Sequence, residues 1–362
     1  MDTSILSGPG RQLTEVARAL KETSVDLTVV TFQRRGRPVS PFPEHLAKAG
    51  VACEVLSESG ATDVGLLPRL RALIDRLDPD VVQTHSYKPA ALVAALQVFG
   101  PRRPWIAFFH GVTHEDRKVR LYNWLDRRLV ARADRVVVMS QAQLAGFSSL
   151  GDRVRLVHNA VLTASIRDGA TERLSLPEST RPVLGVIGRL SAEKGIDVLL
   201  RALRVLRDRG SQPSLLIAGD GPEREALTAL RDDLGLTDAV HFLGPVHPIA
   251  ALYPQLDVVV LSSRTEGLPN VLLEALAADR AVVATRVGAI PEVLAEPDAG
   301  ELVAPESVNE LADGIARALS RLDDQRARDA RRRAVDAFSL ERRAQAHVEI
   351  YRELVKARSK AA

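Results

Sequence analysis

The feature that most constrains this chain is a rhythm: short runs of Val, Ile and Leu alternate with longer stretches of helical period, and the alternation lapses once near the middle before restarting. Strands separated by helices cannot close as hairpins. Each returns parallel to the last, so the rhythm predicts parallel, doubly wound sheets with helices packed on them. The first series predicts strands at 26–32, 51–56, 80–84, 105–109, 135–139 and 153–157. Between them, Leu66, Leu67, Leu70, Leu73, Ile74 and Leu77 form one stripe at spacings of three and four, a helix with one apolar face. Across 159–181 the period gives way to Thr, Ser, Asp, Glu, Gly and Pro, which reads as a linker. The second series predicts strands at 183–187, 215–218, 240–243, 257–261, 281–284 and 300–303, followed by helices to the end. A length of 362 residues suits two such domains, at roughly 150 residues each.

One segment departs from the rhythm. Gly8-Pro9-Gly10 stands before a helical stretch at 12–20, where a doubly wound domain has a turn that follows a buried strand. Only residues 1–7 precede it, and Asp2, Thr3, Ser4 and Ser7 interrupt them. The expectation is a missing or vestigial first strand, and a start assigned late by about 5–10 residues, one strand length.

Composition excludes several classes. With 46% hydrophobic and 26% charged residues the chain is neither disordered, collagen-like nor coiled coil. A net charge of +3 is a weak pointer to anionic partners and no nucleic-acid footprint, because the Arg residues are interleaved with acids and lack aromatic platforms. Arg326, Arg328 and Arg331 to Arg333 read as a solvated helical face. A single cysteine, Cys53, excludes an internal disulfide and a multi-cysteine zinc site, and fits a reducing compartment. No apolar run reaches the ~18 residues of a membrane span, and Met1-Asp2-Thr3 lacks the basic flank of a signal peptide. A cytoplasmic location is therefore expected.

Two strand-to-helix loops carry the candidate chemistry. Ser262 to Ala275 follows the apolar run 258–261 and enters a helix near Pro269, a residue suited to a first turn. Loops beyond the carboxyl ends of parallel strands are where ligands bind, and helix starts attract anions. Glu266 lies in that loop and Glu274 inside the helix. Their separation is too large for the two to flank one glycosidic bond at ~5–9 Å, so they suit different parts of one extended ligand. Taken alone, a loop cap for Glu266 and a solvated helix residue for Glu274 are the plainer readings. The second loop, Gly188-Arg-Leu-Ser-Ala-Glu-Lys-Gly195, puts Arg189 and Lys194 at the same kind of position. A guanidinium and an ammonium there suit a diphosphate and the charge that builds on a leaving phosphate. Asp78-Pro79-Asp80 looks like a metal-binding Asp-x-Asp, but its place before a buried strand makes it a helix-to-strand turn.

Glu266-x7-Glu274, Gly188-Arg-Leu-Ser-x-Glu-Lys-Gly195, Ala218-Gly-Asp-Gly-Pro222, Phe242-Leu-Gly244 and Gly288-Ala-Ile-Pro-Glu292 together resemble the retaining GT-B glycosyltransferases of family 4 in order and spacing. The likeness is most specific over 183–303. In the first half it rests on Pro79-Asp-Val-Val-Gln-Thr-His85 and His110-Gly111. The resemblance implies an α/β chain of two Rossmann-like, doubly wound domains facing across a cleft. An acceptor-side domain at 1–158 would be joined by a crossing helix at 340–362, with a linker at 159–181 and a donor domain at 182–339. It implies transfer of a hexose from a nucleotide-diphosphate sugar to a glycan, lipid-linked or small-molecule acceptor in cell-surface polysaccharide or glycolipid biosynthesis. Retention of anomeric configuration, with no metal or other cofactor, is implied too. The leaving phosphate would help deprotonate the acceptor.

Carried over residue by residue, the pattern places Arg189 and Lys194 on the diphosphate, Glu274 on the ribose hydroxyls, and Glu266 with Gly267, Leu268, Pro269 and Asn270 on the donor sugar. Gly219 falls in a donor-binding loop. His110 corresponds to the family's histidine near the transferred sugar, His85 to an acceptor-side position, and Gly8 and Gly10 to a loop approaching donor or acceptor. Rival readings are a sugar-nucleotide epimerase or hydrolase on the same fold, and a non-catalytic sugar-nucleotide-binding paralogue.

The stretch 117–132 allows two readings. Leu121, Tyr122, Trp124, Leu125, Leu129 and Val130 oppose Arg117, Lys118, Arg120, Arg127, Arg128 and Arg132. Such a helix either packs on the sheet with a solvated basic face or lies on an anionic membrane, where it would serve a lipid-linked acceptor at the inner face.

Overall fold

A computed structural model describes residues 8–60, 63–98, 100–110, 117–161, 166, 174–177 and 181–361. The apolar runs of the first half form β1 (Thr28–Arg34), β2 (Ala52–Glu58), β3 (Val82–His85), β4 (Trp105–Phe109), β5 (Arg135–Val138) and β6 (Val154–Leu156). Those of the second half form β7 (Val183–Ile187), β8 (Ser214–Ala218), β9 (Val240–Gly244), β10 (Val258–Leu261), β11 (Ala281–Thr285) and β12 (Glu301–Val303). All the pairings between these strands are parallel. The chain divides into two compact units, Met1–Asn159 with Leu340–Ala362, and Ala160–Ser339. Much of the stretch read as a linker, 162–165, 167–173 and 178–180, lies outside the described residues.

The first unit carries its strands as two sheets, β1-β2 and β3-β4-β5-β6. Together these are the two flanks of a doubly wound order whose first strand lies at the centre. Among the described residues no strand joins β1 to β3. Residues 1–7, where a vestigial strand was expected, lie outside the described residues. Gly8 and Gly10 are not in a loop: the helix Gly8–Leu20 begins at Gly8, with Pro9 in its first turn where a missing N–H costs nothing.

β4 is buried along its whole length, as befits a strand covered on both faces. The indole N–H of Trp105 donates to Thr84 Oγ1 at 2.9 Å, so the polar edge of the largest core side chain is satisfied. The final helix, Leu340–Ala361, packs against Gly8–Leu20. There the buried Arg343 donates to Gln12 Oε1 at 2.8 Å, the His158 carbonyl at 3.1 Å and Asn159 Oδ1 at 2.8 Å.

The second unit is one sheet in the order β12-β11-β10-β7-β8-β9. Counted within the unit this is the dinucleotide-fold order, and it reverses direction between β7 and β10. β7, β8 and β10 are almost wholly buried, which is why they read as unbroken apolar runs rather than alternating ones. The helix Ile196–Asp208 covers them with Leu199, Leu200, Leu203 and Leu206.

The arginine-rich helix Gln325–Asp336 corrects one expectation. Arg331 is not part of a solvated face: it is 4% exposed, and its Nε and Nη2 both lie 3.0 Å from Asp279 Oδ1. Its neighbours Arg326, Arg328 and Arg333 pair with Asp298, Asp323 and Glu296 at the surface. Position on the helix decides, since Ala327, Ala330, Arg331 and Ala334 share the buried face. Replacing Arg331→Met strands the Asp279 carboxylate, and urea unfolding is expected to show a loss of about 1–2 kcal/mol; an unchanged midpoint refutes the role.

Candidate active site

The two loops singled out in the sequence follow adjacent strands at the reversal of the sheet, because β7 pairs with β10 through Leu184 and Gly185. They are fastened to each other at several points. The Arg264 N–H donates to the Glu193 carbonyl at 2.7 Å, and Ser262 Oγ donates to the Lys194 carbonyl at 2.9 Å. Arg264 also grips both carboxylate oxygens of Asp197, at 2.8 and 3.0 Å, and pairs with Glu306. The two carboxylates raise its pKa above the ordinary arginine value. Gly195 sits in the left-handed region at φ 58, and a Cβ there would strike the Ser262 carbonyl, so glycine is what lets the loops touch.

This contact brings charge together. Lys194 Nζ donates to Glu266 Oε1 at 2.6 Å, and Ser263 Oγ donates to the same oxygen at 2.7 Å. Among the described residues Glu266 Oε2 accepts no hydrogen bond, and the side chain is only 11% exposed. Arg189 is exposed on the β7 loop, one residue beyond Gly188. Gly267 is held through its carbonyl by the Ala289 N–H at 2.8 Å, which ties Gly288-Ala289 to the site. Leu268 is buried, and Pro269 caps the helix Asn270–Ala277 one residue before it begins rather than inside its first turn.

Glu274 is not a solvated helix residue. Its Oε2 accepts from the hydroxyl of Tyr253, a fully buried ring, at 2.6 Å. Sequence reasoning missed Tyr253, Arg264, Ser262 and Ser263; only the Ser-Ser-Arg run after an apolar strand hinted at the last three. Gly219, at φ 139, presses against the Gly188 carbonyl where any Cβ would clash, so the β8 loop lies directly on the β7 loop. The Gly188 N–H to the Ala218 carbonyl, 2.9 Å, and the Leu190 N–H to the Asp220 carbonyl, 3.0 Å, complete that contact.

The first unit gathers histidines. His110 follows β4, and its Nε2 lies 2.8 Å from Nδ1 of His85 at the end of β3. The His85 ring stacks on Phe108 and on His110, with centroids 4.6 and 5.0 Å apart, and Phe108 stacks in turn on His347. His85 is 5% exposed, and its other nitrogen meets Gln83 Nε2 at 2.7 Å. Both ring nitrogens of His85, the residue expected on the acceptor side, are thus engaged within the protein. Burial, then the charge of Arg343, holds His110 and His347 down to about 3, and burial followed by His110 holds His85 well below the ordinary value. Gly111 lies outside the described residues, as do the side chains of 117–123. Asp78 caps the helix Leu66–Leu77 and pairs with Arg103 at 2.6 Å, a structural use.

Two family profiles match, one on each half: Glycosyltransferase Family 4 over residues 6–165 and Glycosyl transferases group 1 over residues 181–321. The chain is 34% identical, over 63% of its length, to the D-inositol 3-phosphate glycosyltransferase of Corynebacterium urealyticum, of which the match covers 59%. It is 35% identical, over 41% of its length, to the 2-deoxystreptamine glucosyltransferase of Streptomyces kanamyceticus, of which 39% is covered. The chain thus spans about two fifths to three fifths of these relatives. Among solved structures, Anabaena HepE in complex with UDP superposes with a TM-score of 0.80 at 20% identity, covering 97% of this chain and 98% of that one. The sucrose-phosphate synthase of Thermosynechococcus elongatus does so with a TM-score of 0.77 at 22% identity, covering 97% and 94%. At such identities the likeness speaks for the fold alone, which is GT-B. With matching profiles on both halves, that fold, and the loop motifs in place at the sheet reversal, the chain belongs to glycosyltransferase family 4.

Proposed function

We propose that the chain transfers a hexose from a nucleotide-diphosphate sugar to a hydroxyl of a glycan, lipid-linked or small-molecule acceptor, with retention of configuration. The observation that carries this is the Lys194–Glu266 pair at the reversal of the sheet, on the loop that also bears Arg189. A diphosphate set against Lys194 and Arg189 has its leaving-group charge stabilised by two cations, so the chain's own residues supply the charge a metal would otherwise bring. Glu266, gripped on one oxygen, offers the other to a sugar hydroxyl, and Glu274, braced by Tyr253, suits the ribose diol. Solved GT-B structures with UDP and UDP-glucose make uridine the first base to test. His110 takes the role the family likeness implies, orienting a hydroxyl of the transferred sugar.

A lipid-linked acceptor draws support from the helix Arg117–Val130, where Trp124 is 51% and Leu125 38% exposed beside Arg127 and Arg128. Among the described residues no helix is long and apolar enough to cross a membrane. Trp124→Ala is expected to reduce co-sedimentation with phosphatidylglycerol vesicles, and equal sedimentation of both proteins removes the membrane reading.

A thermal-shift screen of uridine, guanosine and adenosine diphosphate sugars identifies the donor, and product analysis then separates transfer from hydrolysis or epimerisation. Lys194→Ala is expected to lower kcat by about 10²–10³ and Glu274→Ala to raise the donor Kd roughly tenfold or more. Full turnover in both variants removes the assignment, and donor binding without any turnover favours the non-catalytic paralogue.

His85, His110 and His347 also set a pH dependence. Their folded-state values lie below the ordinary 6.5, so the unfolded chain binds more protons on the acid side. The stability present above pH 6.5 is therefore expected to fall as pH drops toward about 3, with little change contributed by these groups on the alkaline side. Urea midpoints that stay constant on acidification would contradict it.

A further inference from the structure

A continuous chain of hydrogen bonds runs from the last helix to His110. His347 Nδ1 lies 3.1 Å from the Tyr351 hydroxyl, which donates to Gln83 Oε1 at 2.7 Å. Gln83 Nε2 reaches His85 Nε2 at 2.7 Å, and His85 Nδ1 reaches His110 Nε2 at 2.8 Å. Three parts of the fold contribute: Leu340–Ala361, β3, and the residue that follows β4. His85 and His347 are 5% and 2% exposed, so nothing from solvent is needed to complete the chain.

The bonds have a direction. With the Gln83 amide oriented so that its oxygen accepts from Tyr351, its nitrogen donates to His85, so His85 Nε2 is the bare, accepting nitrogen and the single proton of this neutral ring sits on Nδ1. That proton points to His110 Nε2, which must accept in its turn. The one proton of His110 is then on Nδ1, where no described residue takes a bond. At the other end, the Tyr351 proton is committed to Gln83, so its oxygen accepts from His347 Nδ1–H. This leaves His347 Nε2 bare, and it is indeed a buried atom with no partner.

We propose that Gln83, His85 and Tyr351 are positioning residues that lock His110 as its Nδ1–H tautomer, so that it meets the substrate as a neutral hydrogen-bond donor to a sugar oxygen. The proposal rests on the reading of His110 at the transferred sugar, and it assigns to the final helix a part in the chemistry. No proton is transferred along the chain. Its effect is orientation: the stacked rings of His85, Phe108 and His347 fix the plane, and the hydrogen bonds fix which nitrogen carries the proton.

The test uses the full chain with isotope-labelled histidine and long-range proton–nitrogen correlation spectra, which distinguish a protonated ring nitrogen from a bare one without needing turnover. His110→Gln assigns the resonance. In the unaltered protein His110 is expected with Nδ1 protonated and Nε2 bare; the opposite tautomer overturns the proposal. In Gln83→Met the signal should move to a mixture of both tautomers, with kcat lowered about tenfold and donor KM unchanged within about twofold, since a wrongly protonated imidazole binds but does not assist. If that variant does not fold, Tyr351→Phe, which removes one hydroxyl, is read in the same way and should shift both observables in the same direction. An unchanged tautomer with unchanged kcat overturns the proposal while leaving the role of His110 standing. Full turnover in His110→Gln instead removes the underlying reading.

Discussion

Everything at the candidate site depends on one constraint, the reversal of strand order between β7 and β10. The reversal leaves no helix crossing between these two strands at their carboxyl ends, so the loops that follow them lie side by side. Residues 72 apart in sequence, Lys194 and Glu266, thereby come within 2.6 Å. Neither is fully buried, and an ion pair with partial access to water adds little to stability. Its significance is placement: a cation and a carboxylate held at one spot beyond the carboxyl ends of adjacent strands. Gly195 makes the approach sterically open, and Arg264, with two carboxylates and a backbone carbonyl, holds it closed.

The first unit solves a different problem. His85 and His347 are buried and His110 half-buried, where a charged imidazole is expensive, so the three are held neutral and act through hydrogen bonds rather than charge. A neutral ring in a buried network has to have its proton on a defined nitrogen, and aromatic stacking restricts how the rings can turn. Such a cluster is both rigid and directional. Arg343 at its edge adds to the effect: buried itself and lowered to about 10, it disfavours protonation of His110 and His347 further.

The strands were legible because parallel strands covered on both faces are continuous apolar runs, and 183–187 and 105–109 were read to the residue. The helix at 66–77 was legible from its stripe. Less regular geometry was not: Pro269 lies a residue outside its helix, and Gly8 and Gly10 lie inside one, because caps and first turns share residue types. Arg331 was misread as solvated since composition along a helix does not say which face meets Asp279. Tyr253 carried no signal, and Gln83 stood out only as one position of the run 79–85, because the partners of both are distant in sequence.

By itself, then, the amino-acid sequence determined the parallel α/β class, the break between two series of strands, and which loops bear the cations and carboxylates, because period and glycine punctuation are local properties of the chain. Only the tertiary structure decided that Lys194 meets Glu266, that Tyr253 braces Glu274, and that His85 bonds to His110. Those depend on strand order and on burial. Both follow from how elements far apart in sequence pack, and packing is a property of the whole fold that no local pattern records.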